Sequence, residues 1–430
     1  MSMIWMSAGA VTDTSARCAV RVTTGPVRIA VSTSPAMTSP AYTASTPVTA
    51  TGTAVVDVTG LTADTRYYWQ VEDNGVIDAS VTGQFLTDPP LGQPASFTVG
   101  VGGDAGLTPM YPGVTGSAPS RLSNHPVHDT IRTRALAEGW RRFCHIGDIC
   151  YYDLGSGNHG LSAAATATQY RTMWDDIYGQ PNQAALYREV PWVYVWDDHD
   201  YGPNNSDSTA PGRANARTVY RERVPSYPLP AGAGDNPIYH SFEIGRVLFV
   251  ASDSRSDRVA GSTLLGAPQL AWLDTLLGSS TAAALVWLMP NPWLGPSSDT
   301  WGGYPDEQAD IIAMLDGHGW LNRMVMVSAD KHVNAIDSGR AGSGGEAYGG
   351  FPNMVCASLD ATPGSYTTQY DGGMWPARGQ YGTVTVHDTG TAITLTATAW
   401  RGTKPLGWTY AVTGGTTRVP AGPASHVLAL

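Results

Sequence analysis

What this 430-residue sequence lacks narrows it before any motif is read. It has no Lys/Arg block, and a formal charge of −11 with a pI near 5.3 argues against a sequence-independent grip on nucleic acid or an anionic membrane. Cysteines number four, Cys18, Cys144, Cys150 and Cys356, with no CxxC pair. Cys18, Cys144 and Cys356 lie in apolar, strand-like runs, which predicts core thiols and not a disulfide framework. No apolar run approaches the ~20 residues of a membrane span. The N-terminus "MSMIWMSAGAVTDTSARCAVRV" has neither a basic n-region nor an unbroken apolar h-region, so the expectation is a soluble, cytoplasmic chain without a signal peptide. Charged residues make up 14%, but 49 Gly, 30 Pro and many Thr and Ala fit a compact, loop-rich protein better than a disordered one. The length predicts two or three structural units.

Residues 1–88 are almost free of helical periodicity. Short alternating runs such as "ARCAVRVT", "VRIAVST", "TAVVDVTGL" and "RYYWQVED" are separated by Gly, Pro, Asn and Asp, which predicts a small β-sandwich. The piece "VTGLTADTRYYWQV" resembles the tyrosine corner of a fibronectin-III-like module, with Tyr67 or Tyr68 at the corner. "TDPPLGQPA" then reads as a linker, its core at 89–95, because paired prolines and a glycine stop regular structure. From 96 onward strands alternate with helices, the mark of an α/β sheet buried on both faces. After about residue 346 helices vanish, and "GTVTVHDTGTAITLTATAW" with "GWTYAV" reads as hairpins extending a second sheet.

The apolar runs share one habit: each stops at a polar residue able to hold a metal or a phosphate. The ends are Asp104, Asp148, Asp198 with His199, Asp253 with Arg255, Asn291, and Asp330 with His332. Ligands of open α/β sheets bind outside the carboxyl ends of the strands, so these residues are expected to converge. Any single Asp after a strand is more often a cap or turn residue, with about one chance in five of being catalytic. Repetition at six ends is what favours a site. Cys144, His145 and the tryptophans Trp287, Trp293 and Trp301 read as packing.

The residue types select the chemistry. Asp104, Asp148, Asp198, Asn291 and Asp330, with the His332 imidazole and the Tyr151 phenol, suit hard cations such as Fe³⁺, Mn²⁺ or Ca²⁺. Asp148 is placed to bridge two ions, Arg255 offers a planar charged fork for phosphate, and His199 is placed to protonate a leaving oxygen.

The order "GDxxYxD" (Asp148 to Asp153), "WDDHD" (Trp196 to Asp200), "DxR" (Asp253 to Arg255), "Q..WL" (Gln269 to Leu273) and "DxH" (Asp330 to His332) resembles the PhoD-type alkaline phosphatases and phosphodiesterases of the calcineurin-like metallophosphoesterase superfamily. The likeness covers nearly the whole chain. "WDDHDYG" is highly specific, whereas "GDxxY" alone is shared with purple acid phosphatases. It implies a four-layer α/β/β/α metallophosphoesterase domain over 96–430 behind the β-sandwich. It further implies a first metal, Fe³⁺, on Asp104, Asp148, Tyr151 and His332. A second, Ca²⁺, Mn²⁺ or Zn²⁺, falls on Asp148, Asp198 and Asp330 with Asn291, since Asp198 stands before His199 as a metal-binding asparagine does in related metallophosphoesterases, which leaves Asp197 to orient loop backbone. A metal-activated hydroxide would then attack a phosphate ester, either a small molecule or, in a phospholipase-D-like diesterase, a lipid headgroup. The chain departs from the family pattern at Asp104, where a cysteine is common, at Gly106, where the superfamily has histidine, and at Ala329, where glycine is usual. Lys331 stands between the last two ligands as a further phosphate contact or a solvated charge. A non-catalytic protein holding structural calcium accounts for the aspartates but gives Arg255, His199 and Tyr151 no role.

Overall fold

The computed structural model describes residues 3–106, 122–154, 160–162, 164–364, 368, 370–415 and 426–427. Strand-forming runs build three sheets. A ten-stranded sheet runs His426–Val427, Lys404–Gly415, Ala392–Arg401, Gln380–Asp388, Phe97–Gly102, Arg142–Ile146, Trp192–Val195, Met3–Gly9, Ser15–Val22, Thr53–Thr59. A seven-stranded sheet begins His240–Ile244, Val247–Ala251, Ala284–Leu288, Met324–Ser328, then Asn353–Cys356, Asn334–Asp337 and Gly373–Trp375. A five-stranded sheet gathers the remaining N-terminal strands around Arg66–Asp73. The mixed α/β character expected from the alternating pattern holds.

Parallel pairing explains the apolar runs. Phe97–Gly102, Arg142–Ile146 and Trp192–Val195 are parallel neighbours, as are Val247–Ala251, Ala284–Leu288 and Met324–Ser328. In the second set nearly every side chain is buried, since a sheet covered on both faces has no solvent side to alternate toward. The two large sheets share one apolar cluster. They approach so closely at Gly382 that a Cβ there would lie 2.4 Å from Sγ of Cys356. At their carboxyl ends the backbones join: Gly103 N–H donates to Cys356 O at 2.8 Å and Asp360 N–H to Asp104 O at 3.0 Å. That stitching sets the strand ends of both sheets around one place.

Residues 3–86 contain strands and no helix, and enclose their own cluster, including Met6, Val20, Ile29, Val56, Trp69 and Phe85. Tyr67 Oη accepts the N–H of Thr62 at 2.9 Å, the corner bond expected of Tyr67 or Tyr68. One of the two sheets around this cluster is the edge of the ten-stranded sheet, joined to it by the parallel pairing of Gly9 with Trp192. The 87–95 stretch is irregular as expected, but it is anchored: buried Asp88 pairs with buried Arg142, which also donates to Tyr227 Oη at 3.0 Å. The C-terminal hairpins extend the ten-stranded sheet through Gln380–Asp388 beside Phe97–Gly102.

Helices start and stop at local signals: Pro126–Glu138 carries proline in its first turn and ends at left-handed Gly139, and Ala167–Tyr178 opens with a Thr166/Gln169 capping box. Arg213–Arg223 is a helix the sequence reading leaves unnamed. Its arginine-rich composition hides an inner face in which Arg217 is neutralised by Asp235 and Arg223 by Asp175. All four cysteines are free and buried, as expected. Among the described residues no helix is long and apolar enough to cross a membrane.

Candidate metal centre

Asp104, Asp148, Asp330 and His332 all have positive φ, at 61°, 47°, 72° and 52°. A non-glycine residue held there costs about 1–3 kcal/mol, so four such residues at one place mark a site whose surroundings impose the geometry. The imposing bonds are visible. Asp104 N–H donates to Gly147 O at 3.2 Å, Ala105 N–H to Asp148 O at 2.8 Å, and Asp330 N–H to Asp104 Oδ2 at 3.1 Å. Gly147 is obligatory, with φ at 78° and a Cβ position only 2.5 Å from Cβ of Asp197.

Three groups of candidate ligand atoms form, each within 4.8 Å: Asp104, Asp148 and His332; Asp148, Asp198 and His199; Asp197, Asp198 and Asp330. Tyr151 completes the first, its Oη 3.2 Å from Asp104 Oδ1 and 2.9 Å from His332 Nε2. His332 is oriented by its Nδ1, 3.0 Å from Thr362 O. Asp148 belongs to two groups, as its expected bridging position requires. Asn291 is buried at its strand end with Nδ2 3.3 Å from Asp299 Oδ1.

Burial and mutual repulsion dominate the electrostatics. Burial, then the charges of Asp198, Asp197 and Asp104, lift the Asp148 carboxyl well above the usual range, and burial with Asp299 does the same to Asp330. Burial and the neighbouring Asp148 and Asp104 push the Tyr151 phenol well up. Burial also works against ionisation of Asp198, yet Arg255 and His199 hold its carboxyl low. Asp148 Oδ1, Asp197 Oδ2 and Asn291 Oδ1 are buried without a hydrogen-bond partner. A cluster of buried acceptors that lack donors, and of carboxylates that repel one another, fits hard cations.

Several residues take places the sequence did not indicate. Arg255, expected to contact phosphate, is wholly buried beside the carboxylates, with Nη1 and Nη2 lacking a hydrogen-bond partner. Its Nε donates to Asp197, and Nη2 lies 3.2 Å from Asp299 and 3.4 Å from Asp198. Asp197 therefore serves Arg255. The backbone-orienting part falls to Asp200, whose Oδ1 accepts the N–H of Ile149 at 2.8 Å. Asp253 turns away from the centre, accepting Trp196 Nε1–H at 2.9 Å and the N–H of Ile238 at 2.9 Å, while Gln269 clamps its backbone. Two residues were missed. Asp153 holds His199, and the last letter of "GDxxYxD" carried that signal unread. Asp299 sits in the loop "GPSSDTWGG", where nothing in the sequence distinguishes it.

A family model for PhoD-like phosphatases matches residues 130–400, well over half of the sequence. The chain belongs to the PhoD-like phosphatase family. It is 28% identical to alkaline phosphatase D of Bacillus subtilis (strain 168), over 44% of this chain and 41% of that one. To phosphoenolpyruvate phosphatase of Allium cepa it is 26% identical, over 53% and 38%. This PhoD-like chain thus matches about two fifths of the length of its curated relatives. A solved structure of PhoD superposes with a TM-score of 0.75 at 18% identity, covering 99% of this chain and 92% of that one. Purple acid phosphatase PPD1 from yellow lupin, Lupinus luteus, gives 0.67 at 13%, covering 96% and 74%. At such identities the structures establish the fold, that of PhoD and the purple acid phosphatases.

Proposed function

We propose that this chain is a metal-dependent hydrolase of phosphate esters. The observation that carries the reading is the shared Asp148, at the junction of two ligand groups, with an imidazole beside them whose other face is engaged by a carboxylate. Asp104, Asp148, Tyr151 and His332 would hold one cation, with Fe³⁺ the candidate, and Asp148, Asp198, Asp330 and Asn291 a second, Ca²⁺, Mn²⁺ or Zn²⁺. Bound there, the cations supply Lewis-acid charge for phosphoryl oxygens and lower the pKa of a water nucleophile. The remaining work belongs to the side chains. His199 donates a proton to the departing ester oxygen, Asp153 fixes its ring, and Arg255 pairs with Asp197 and helps hold the Asp198 carboxyl low. The metallophosphoesterase domain is read as four layers, α/β/β/α, over 96–430, with residues 1–88 a fibronectin-III-like sandwich in front.

The test is to load metal-stripped protein with Fe³⁺ and each divalent ion in turn and assay p-nitrophenyl phosphate and bis-p-nitrophenyl phosphate. Turnover that appears with metal and disappears in Asp148→Ala is expected. Protein that binds metal and hydrolyses neither ester removes the reading.

A further inference from the structure

The candidate site has a closed back and an open mouth. Side chains of Asp104, Arg255 and Asp197 are 0–1% exposed and Arg258 is 4% exposed, whereas His199 is 11%, Asp299 17%, Lys331 19% and His332 23% exposed. A substrate arriving from solvent meets the second set first. Within that set Lys331 is the side chain with a permanent positive charge. Its Nζ lies 2.5 Å from Asp330 Oδ2 and 3.4 Å from Asp299 Oδ2. Asp299 is itself fixed from the far side, 3.0 Å from Nη1 of Arg258 and 3.2 Å from Nη2 of Arg255. Arg258 in turn donates to Tyr304 Oη at 2.8 Å and to Ser298 O at 2.9 Å, so the loop carrying Asp299 is anchored.

We propose that Lys331 is the substrate-binding cation of this site and that it favours phosphomonoesters over phosphodiesters. The inference rests on the hydrolase reading above and gives it a substrate class. With Asp330 serving as a cation ligand, Asp299, fixed by Arg255 and Arg258, would still hold the ammonium at the mouth. A monoester dianion presents three terminal oxygens and a diester monoanion two. The third oxygen and the extra negative charge exist in the monoester alone, and they are what a cation at the mouth can recognise. A charge-assisted hydrogen bond to that oxygen strengthens binding and charge stabilisation for one substrate class. Arg255 and Arg258 do not stand at the mouth, since their side chains are 0% and 4% exposed.

The experiment uses the full chain, metal-loaded, as wild type, Lys331→Met, Lys331→Gln and Lys331→Arg. It measures kcat/KM on p-nitrophenyl phosphate and bis-p-nitrophenyl phosphate, inorganic phosphate affinity by calorimetry, metal content and melting temperature. Both neutral variants should lose roughly tenfold or more on the monoester and in phosphate affinity, with a much smaller loss on the diester and unchanged metal content. Lys331→Arg should recover most of the monoester preference. Equal losses on both esters, an unchanged ratio, or phosphate affinity equal to wild type in the neutral variants would each overturn the role of Lys331. Wild-type protein that cleaves neither ester overturns the hydrolase reading instead.

Discussion

Oδ2 of Asp153 lies 2.7 Å from Nδ1 of His199, so the ring is held by one nitrogen while the other remains for proton transfer. Burial works against the imidazolium, but the bond to Asp153 and the charges of Asp198 and Asp197 raise its pKa to about 9 before any cation is bound. A proton on the free nitrogen is what a general acid needs. Asp153→Asn should lower that pKa and slow alkyl phosphates by ~10²-fold or more, with a smaller effect on p-nitrophenyl esters, whose leaving group needs little protonation. Leaving-group dependence and the pH profile of kcat are the measurements. A uniform loss on all esters with no shift of the profile would reduce Asp153 to a structural residue.

The Tyr151 phenol, buried and kept protonated by Asp148 and Asp104, gives up its proton when a trivalent ion binds. Iron-loaded protein should therefore absorb in the visible through phenolate-to-metal charge transfer, and Tyr151→Phe should abolish the band. An active, colourless, iron-free preparation would reject iron while sparing the hydrolase reading.

Removing Arg255 leaves Asp197 and Asp198 buried with no cation behind them. Arg255→Met should destabilise the fold by about 3–5 kcal/mol, the typical loss when one partner of a buried ion pair is deleted. It should also depress monoester and diester hydrolysis alike. Urea unfolding checks the first part; a variant as stable as wild type would show that the carboxylates shed their charge instead.

Buried neutral histidines give the stability a sign with pH. Burial lowers His240 to about 4, and burial with His125 nearby lowers His128 to about 3, against about 6.5 in the unfolded chain. Below pH 6.5 the unfolded state binds more protons than the folded one, so stability falls as pH falls. Each histidine contributes a slope of up to ~1.4 kcal/mol per pH unit. The His240 part levels off once pH passes its folded value. Comparing urea midpoints at pH 7 and pH 5, His240→Gln should show a shallower acid loss than wild type; an identical slope would assign the acid sensitivity elsewhere.

The sequence by itself determined a good deal of this. Period-two alternation before 88, apolar runs ending in polar residues after 96, and "WDDHDYG" sufficed for the β-rich start, the α/β core and the residues that gather at the strand ends, because parallel strands bury both faces and leave function to their carboxyl tips. Asp104, Asp148, Asp198, Asp330, His332 and Tyr151 were all legible in that way.

Tertiary structure decided what each charge faces. Arg255 and Lys331 are both cations beside a ligand motif, and no local pattern says that one is sealed behind Asp197 while the other stands at the mouth. Asp299 was invisible because its loop is ordinary in sequence and acquires meaning from Arg255, Arg258 and Lys331, which reach it from 44, 41 and 32 residues away. The sharing of one sheet between the N-terminal strands and the core depends on a single parallel pairing, Gly9 with Trp192. Local propensity makes strands, but long-range burial chooses their neighbours, and electrostatic pairing across the fold chooses which charges remain for a substrate.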